Sequence, residues 1–240
     1  REQHELDLVV VNGENAENGS GITKAIFNRL RDHGVDGVTL GDHIYRKREI
    51  IPILESDAPV IRPANYPPEA PGREWMTLIT TSGVPFCVVS LIGRVFMKPA
   101  DCPFHAADRI WSQLPEKRGG VLVDFHAEAT SDKQLLGRYL DGRASAVLGT
   151  HTHVTTADEQ ILPSGTAFQC DVGMTGPHDG IIGRRYDRVM ETTFTQRPTS
   201  VNVAKGDNRL SGTLVVVDSR TQKAVSIERV KVNEDASQGS

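Results

Sequence analysis

The chain has 240 residues, 38% of them hydrophobic and 24% charged, with a formal net charge of −4. That length suits a single domain over residues 1–240 with a core of its own, and the charge balance supplies no basic face for stable nucleic-acid binding. No apolar run approaches the roughly 18 residues needed to cross a bilayer, so no membrane partner is expected. The three cysteines, Cys87, Cys102 and Cys170, are scattered without a C-x-x-C pair. That usage fits reduced thiols and a cytoplasmic setting.

Residues 1–5 are charged and read as the end of a helix. Residues 6–11 form an apolar, β-rich run, the pattern of a buried strand, with Asn12-Gly13-Glu14-Asn15 at its carboxyl end. Helical spacing follows over 22–33, with Gly34 as a stop. A second strand over 35–40 ends at Gly41-Asp42-His43, and 46–54 suits a short helix. Residues 59–71 are proline-rich and irregular. Residues 75–81 and 85–92 read as a hairpin around Ser82-Gly83. A helix over 108–114 precedes a strand over 121–125 that ends at His126. A helix over 133–140 precedes a strand over 144–148 that ends at Gly149-Thr150-His151-Thr152-His153. A strand over 166–170, a loop over 171–177 and a helix over 184–194 come next. Antiparallel strands over 201–203, 210–218 and 224–230 close the pattern, before a polar tail after Asn233. Strands alternating with helices give an α/β class, and the late hairpins suggest a second sheet.

Four groups of oxygen and nitrogen donors thus fall at predicted strand ends, where sites form in α/β sheets. His151 and His153 are spaced i, i+2 and share a face if extended. Imidazole suits iron, manganese, zinc, nickel and copper. Each group has a plainer reading: a solvated Glu14 in an Asn-Gly turn, a helix-capping Asp42 with a surface His43, a hydrogen-bonded structural His126, and an exposed polar turn at a strand end for His151 and His153. Asp42 and His43, if extended, face opposite ways, one toward a metal and the other toward substrate. Asp124 and Glu128 are candidates to orient a neighbouring ligand. No Walker A loop, G-x-G-x-x-G or G-x-S-x-G occurs, which removes the usual nucleotide-triphosphate, dinucleotide and serine-hydrolase readings.

Taken together, Asn12-Gly13-Glu14-Asn15, Gly41-Asp42-His43, Asp124-Phe125-His126-Ala127-Glu128-Ala129-Thr130, Gly149-Thr150-His151-Thr152-His153-Val154 and Asp171-Val172-Gly173-Met174-Thr175-Gly176-Pro177 resemble the YmdB-type branch of the calcineurin-like metallophosphoesterases. Arg62-Pro63-Ala64-Asn65 and Asp141-Gly142-Arg143-Ala144-Ser145 match as well, so the resemblance spans nearly the whole chain. It implies a two-sheet β-sandwich flanked by helices, two iron or manganese ions, cyclic-nucleotide phosphodiesterase activity by a two-metal hydroxide mechanism, and homo-oligomers. Residue by residue, Glu14 resembles the bridging carboxylate. Asn15 and His153 resemble ligands of one metal, and Asp42, His126 and His151 those of the other. His43 resembles the proton donor.

Two departures stand out. The family carries Asn where this chain has Asp42, which adds a negative charge beside a phosphate site. The family also begins with a strand whose aspartate binds one metal. Here that segment is not present, so an N-terminal truncation, a bare strand edge and a weaker metal position at Asn15 and His153 are expected. The rival readings are a metal-binding regulatory protein with little turnover and a phosphomonoesterase of the same fold. An amidohydrolase would need eight β/α units, which the pattern lacks.

Overall fold

The structure, a computed structural model, describes residues 1–200 and 202–234. After a 3₁₀ turn at Glu2–His4 come β1 (Val10–Asn12), α1 (Lys24–Asp32) and β2 (Gly37–Thr39). A 3₁₀ turn at Arg48–Ile50 runs into α2 (Ile51–Leu54), followed by β3 (Val60–Ile61). The middle of the chain holds β4 (Trp75–Ile79), β5 (Pro85–Ile92), α3 (Pro103–Trp111), β6 (Val121–His126), α4 (Thr130–Tyr139) and β7 (Ala146–Thr150). The remainder holds β8 (Gln160–Ile161), β9 (Ala167–Gln169), β10 (Gly176–Pro177), α5 (Tyr186–Thr195), β11 (Asn208–Asp218) and β12 (Lys223–Asn233).

This is a mixed α/β fold, and its described strands divide into three hydrogen-bonded sheets where the sequence suggested two. A small sheet, β1-β2-β3, is wholly parallel. A six-stranded sheet has the order β4-β5-β6-β7-β9-β8. Its four inner strands are parallel, while β4 and β8 are antiparallel edges. β10, β11 and β12 form an antiparallel ribbon.

The alternation of β5 explains how the layers stack. Cys87, Val89 and Leu91 point into a core shared with Ala107 and Ile110 of α3, Leu136 of α4, and Val123, Phe125 and Val147. Val88, one residue out of step, faces Met76, Leu78 and Ile61, with Leu8 and Val10 packed against them. That second face joins the small sheet to the large one, as the two-residue period of a strand requires. On its far side the small sheet is covered by Ile22, Phe27, Ile50 and Leu54.

Several boundaries differ from the sequence reading for identifiable reasons. Residues 6–9 lie outside β1 because side chains take their backbone groups. Arg1 donates to the carbonyls of Leu6 and Asp7, and Asp36 accepts the Val9 N–H at 2.7 Å. Residues 1–5 hold only the 3₁₀ turn. The α1 helix starts at Lys24, because Thr23 caps it by accepting the Ile26 N–H at 3.2 Å. The α3 helix starts at Pro103, five residues before the expected 108, since proline suits the first helical position. Of the strand expected over 201–203, Val203 forms a bridge to Arg184, and residue 201 lies outside the described residues. So does the tail from 235 onward. Among the described residues no helix is long and apolar enough to cross a membrane.

Candidate metal centre

The small sheet and the large sheet deliver their carboxyl ends to one place. Glu14 and Asn15 follow β1, and Asp42 and His43 follow β2. His126 ends β6, and His151 and His153 follow β7. Glu14, Asp42, His126 and His151 each offer one ligand atom, and these atoms all lie within 4.8 Å of one another. His126 Nε2 is 3.1 Å from Asp42 Oδ1, 3.2 Å from Glu14 Oε1 and 3.0 Å from His151 Nδ1. Donors about 2.1 Å from an ion sit about 3.0–3.4 Å apart at neighbouring vertices, so this set fits a divalent cation. Gly41 lets the chain come this close, because a Cβ there would overlap the His126 ring and Glu14.

Hydrogen bonds turn the ligand nitrogens inward. The Thr150 hydroxyl donates to Asp124 Oδ1 at 2.7 Å, so its lone pair is left to accept from His126 Nδ1–H at 2.9 Å. That places the ring proton of neutral His126 on Nδ1 and a lone pair on Nε2, facing the cluster. Asp124 also accepts from Asn12 Nδ2 at 2.9 Å and from the Thr39 hydroxyl at 2.5 Å, which fixes its own position. The outer nitrogen of His151, Nε2, meets Glu128 Oε2 at 3.1 Å. His153 Nδ1 donates to the Ile182 carbonyl at 3.0 Å, leaving Nε2 toward Asn15.

A second donor group adjoins the first through Glu14. Asn15 Nδ2 lies 3.3 Å from Glu14 Oε1 and 3.1 Å from His153 Nε2. An amide turned about its last torsion presents oxygen in place of nitrogen, and only its hydrogen-bond surroundings choose between the two. His43 Nδ1 meets Asn15 Oδ1 at 2.7 Å, and the His43 N–H donates to Glu14 Oε2 at 3.0 Å. Asp42 and His43 sit in a turn, not on an extended segment, and His43 Nε2 is 3.8 Å from Asp42 Oδ2. The His43 ring, a quarter exposed, stands at the edge of the cluster.

Two carboxylates in a buried site need a positive partner, and His126 is that partner. Burial disfavours its charged form, but Glu14 and Asp42 outweigh it and push its pKa up to about 10. Burial raises Glu14, yet the His126 charge and hydrogen bond and the His43 N–H hold it below the ordinary carboxylate range. Burial likewise opposes Asp42, and the His126 and His151 hydrogen bonds hold it well below. The centre therefore attracts positive charge, whether a proton or a metal ion. A raised histidine pKa stabilises the fold fully below the ordinary value of about 6.5, and that contribution is lost as pH rises through the folded value. Chelator-treated protein is accordingly expected to lose melting temperature between pH 7 and 10. A flat profile across that range, or the same decline in His126→Asn, would contradict this assignment.

His151 and His153 both have left-handed backbone, φ 102° and 66°. Each such non-glycine residue costs about 1–3 kcal/mol and persists only where its surroundings enforce it. The sequence pattern did not mark what enforces it. Asp171 Oδ2 accepts from the Thr152 N–H at 3.0 Å, from the Thr152 hydroxyl at 2.7 Å and from Lys133 Nζ at 2.7 Å. Other motif residues tie loops. Asn65 bonds the backbone of Ile92 and Asp101, Arg62 that of Gly72 and Pro63, and Asp141 the N–H of Ser164.

A family model described as YmdB-like protein matches residues 1–230. A Bacillus subtilis 2′,3′-cyclic-nucleotide 2′-phosphodiesterase is 44% identical over 228 residues, which covers 95% of this chain and 86% of that protein. A crystal structure of a hypothetical protein from Thermus thermophilus superposes with a TM-score of 0.91 at 44% identity, covering 97% of this chain and 90% of that one. A crystal structure of a phosphatase from Mycoplasma pneumoniae superposes with a TM-score of 0.89 at 26% identity, covering 100% of this chain and 88% of that one.

Proposed function

The chain belongs to the YmdB-like family, and on that premise we propose that it is a metal-dependent phosphodiesterase hydrolysing 2′,3′- or 3′,5′-cyclic nucleotides. The observation that carries the reading is the convergence of four strand-end donors around His126 Nε2, with a second donor group sharing Glu14. The same reading makes the chain a single calcineurin-like metallophosphoesterase domain, cytoplasmic and homo-oligomeric.

In this proposal Glu14, Asp42, His126 and His151 hold one ion, and Glu14, Asn15 and His153 hold the other. Mixed imidazole and carboxylate donors suit iron or manganese. When bound there, two such ions would supply an activated water and charge neutralisation at the phosphoryl oxygens. The chain's own part is orientation and proton transfer. Glu14 spans the two positions. Asn15, turned so that its oxygen reaches the ion, would offer its amide N–H to His43 Nδ1, which leaves His43 Nε2–H to protonate the leaving alkoxide. Burial lowers the His43 pKa against the pull of Asp42 and Glu14. The test is an assay with a cyclic nucleotide or bis-p-nitrophenyl phosphate in Mn²⁺ or Fe²⁺. A full-length protein that holds metal and turns over neither substrate would refute the reading.

Asp42 acts on the substrate by charge. Its second oxygen, Oδ2, faces His43 and adds to the negative field at the mouth of the site. Asp42→Asn is expected to keep the metals and lower KM for phosphodiesters several-fold. Steady-state kinetics with metal analysis check this, and an unchanged or raised KM counts against it.

A further inference from the structure

We infer that Lys133 and Asp171 are positioning residues for this centre, acting through Thr152 to hold His151 and His153 toward the two ion positions. The inference rests on the proposed metal centre and adds residues that touch no ion.

Lys133 on α4 and Asp171 after β9 form an ion pair with side chains only 2% and 1% exposed. Burying two charges costs more than burying apolar groups of the same shape, so stability alone does not account for the pair. Its oxygens are spent on one turn. Oδ2 takes Lys133 Nζ and both donors of Thr152, and Oδ1 takes the Gly173 N–H at 2.9 Å. Thr152 is the single residue between two histidines in left-handed backbone. Free of its anchor, that segment relaxes toward ordinary backbone, and the two rings then turn away from their present directions. The anchor comes from both flanks of β7, since α4 precedes that strand and Asp171 follows its neighbour β9. The main chain of Asp171 holds the following loop as well, bonding Thr156 in both directions at 3.0 Å and 2.9 Å. Lys133 thus holds the Asp171 carboxylate in place, and Asp171 sets the turn.

The experiment compares wild type with Thr152→Val, Thr152→Ser and the neutral double variant Lys133→Met/Asp171→Leu. Mn²⁺ affinity is measured by calorimetry on chelator-treated protein, and the coupled Mn²⁺ signal by electron paramagnetic resonance. Thr152→Val and the double variant are expected to bind Mn²⁺ about 10- to 100-fold more weakly, with the coupled signal reduced. Thr152→Ser, which keeps the hydroxyl, is expected to bind as wild type does. The two Thr152 variants leave the ion pair in place, so they carry the test even if the double variant does not fold. Wild-type affinity and spectrum in Thr152→Val overturn the inference while leaving the centre standing. A wild-type protein that takes up no Mn²⁺ overturns the centre and the inference together.

Discussion

Replacing His126 with alanine is expected to lower kcat/KM for a cyclic phosphodiester by about 10³-fold or more and to reduce the bound metal per chain. His126 Nε2 lies within 3.2 Å of three other candidate ligands, so it is the common neighbour at the first ion position. Without it, Glu14 and Asp42 lose the imidazole nitrogen that lies within 3.2 Å of both. An ion there would have to bind with fewer ligands, and the several kcal/mol of transition-state charge stabilisation it supplies would fall away. At about 1.4 kcal/mol per factor of ten, that amounts to three decades or more. The strand itself should survive, because Thr150 keeps its bond to Asp124 and β6 keeps its backbone pairing to β7. Metal content by elemental analysis, read beside kinetics and a melting curve, tests all three statements. A folded variant within tenfold of wild-type activity would remove His126 from the centre.

Gly149→Ala is expected to destabilise the protein by about 3 kcal/mol or more, beyond the ordinary cost of one extra methyl in a packed core. A Cβ at this position would overlap the Cys170 carbonyl oxygen, lie 2.6 Å from the carbonyl carbon and meet the Lys133 stem at 3.0 Å. The obstacle is backbone held on both sides, since the Val172 N–H also bonds the Gly149 carbonyl at 2.9 Å. Neither chain can step aside without breaking β7 from the segment after β9. At about 2–4 °C per kcal/mol for a chain of this size, the loss is about 6–12 °C in melting temperature. Gly212, in β11, has nothing within 4 Å of its would-be Cβ and serves as the control. A Gly149→Ala protein that melts with wild type would mean that the approach of Cys170 to β7 is looser than described.

The strand-end positions of Glu14, Asp42, His126 and His151 were legible because apolar runs of strand length stop just before each of them. What joins them was not. Thr150 sets the His126 proton only because the β6–β7 register places the two residues opposite each other, and no local pattern encodes a register between strands 24 residues apart. Asn12 and Thr39 reach Asp124 across 112 and 85 residues, from a different sheet. Lys133 stands in sequence only as the start of the expected 133–140 helix, yet its ammonium is buried against Asp171. The division into three sheets was hidden for a similar reason. β1 to β3 are two or three residues long, so their pairing rests on neighbours far along the chain and not on their own propensity.

The candidate ligands come in equal measure from two layers that meet through an apolar seam and the bonds that Asn12 and Thr39 make to Asp124. Glu14, Asn15 and Asp42 hang from the small sheet, while His126, His151 and His153 hang from the large one. An ion shared between them is a removable rivet. At a free concentration one hundred times its dissociation constant it contributes about 2.7 kcal/mol against separation of the layers, and at low supply it contributes nothing. Bound metal is therefore expected to lengthen the lifetime of the polypeptide as well as to support turnover. Limited proteolysis with and without chelator is expected to show earlier cleavage in the layer carrying Glu14 and Asp42 once metal is withdrawn.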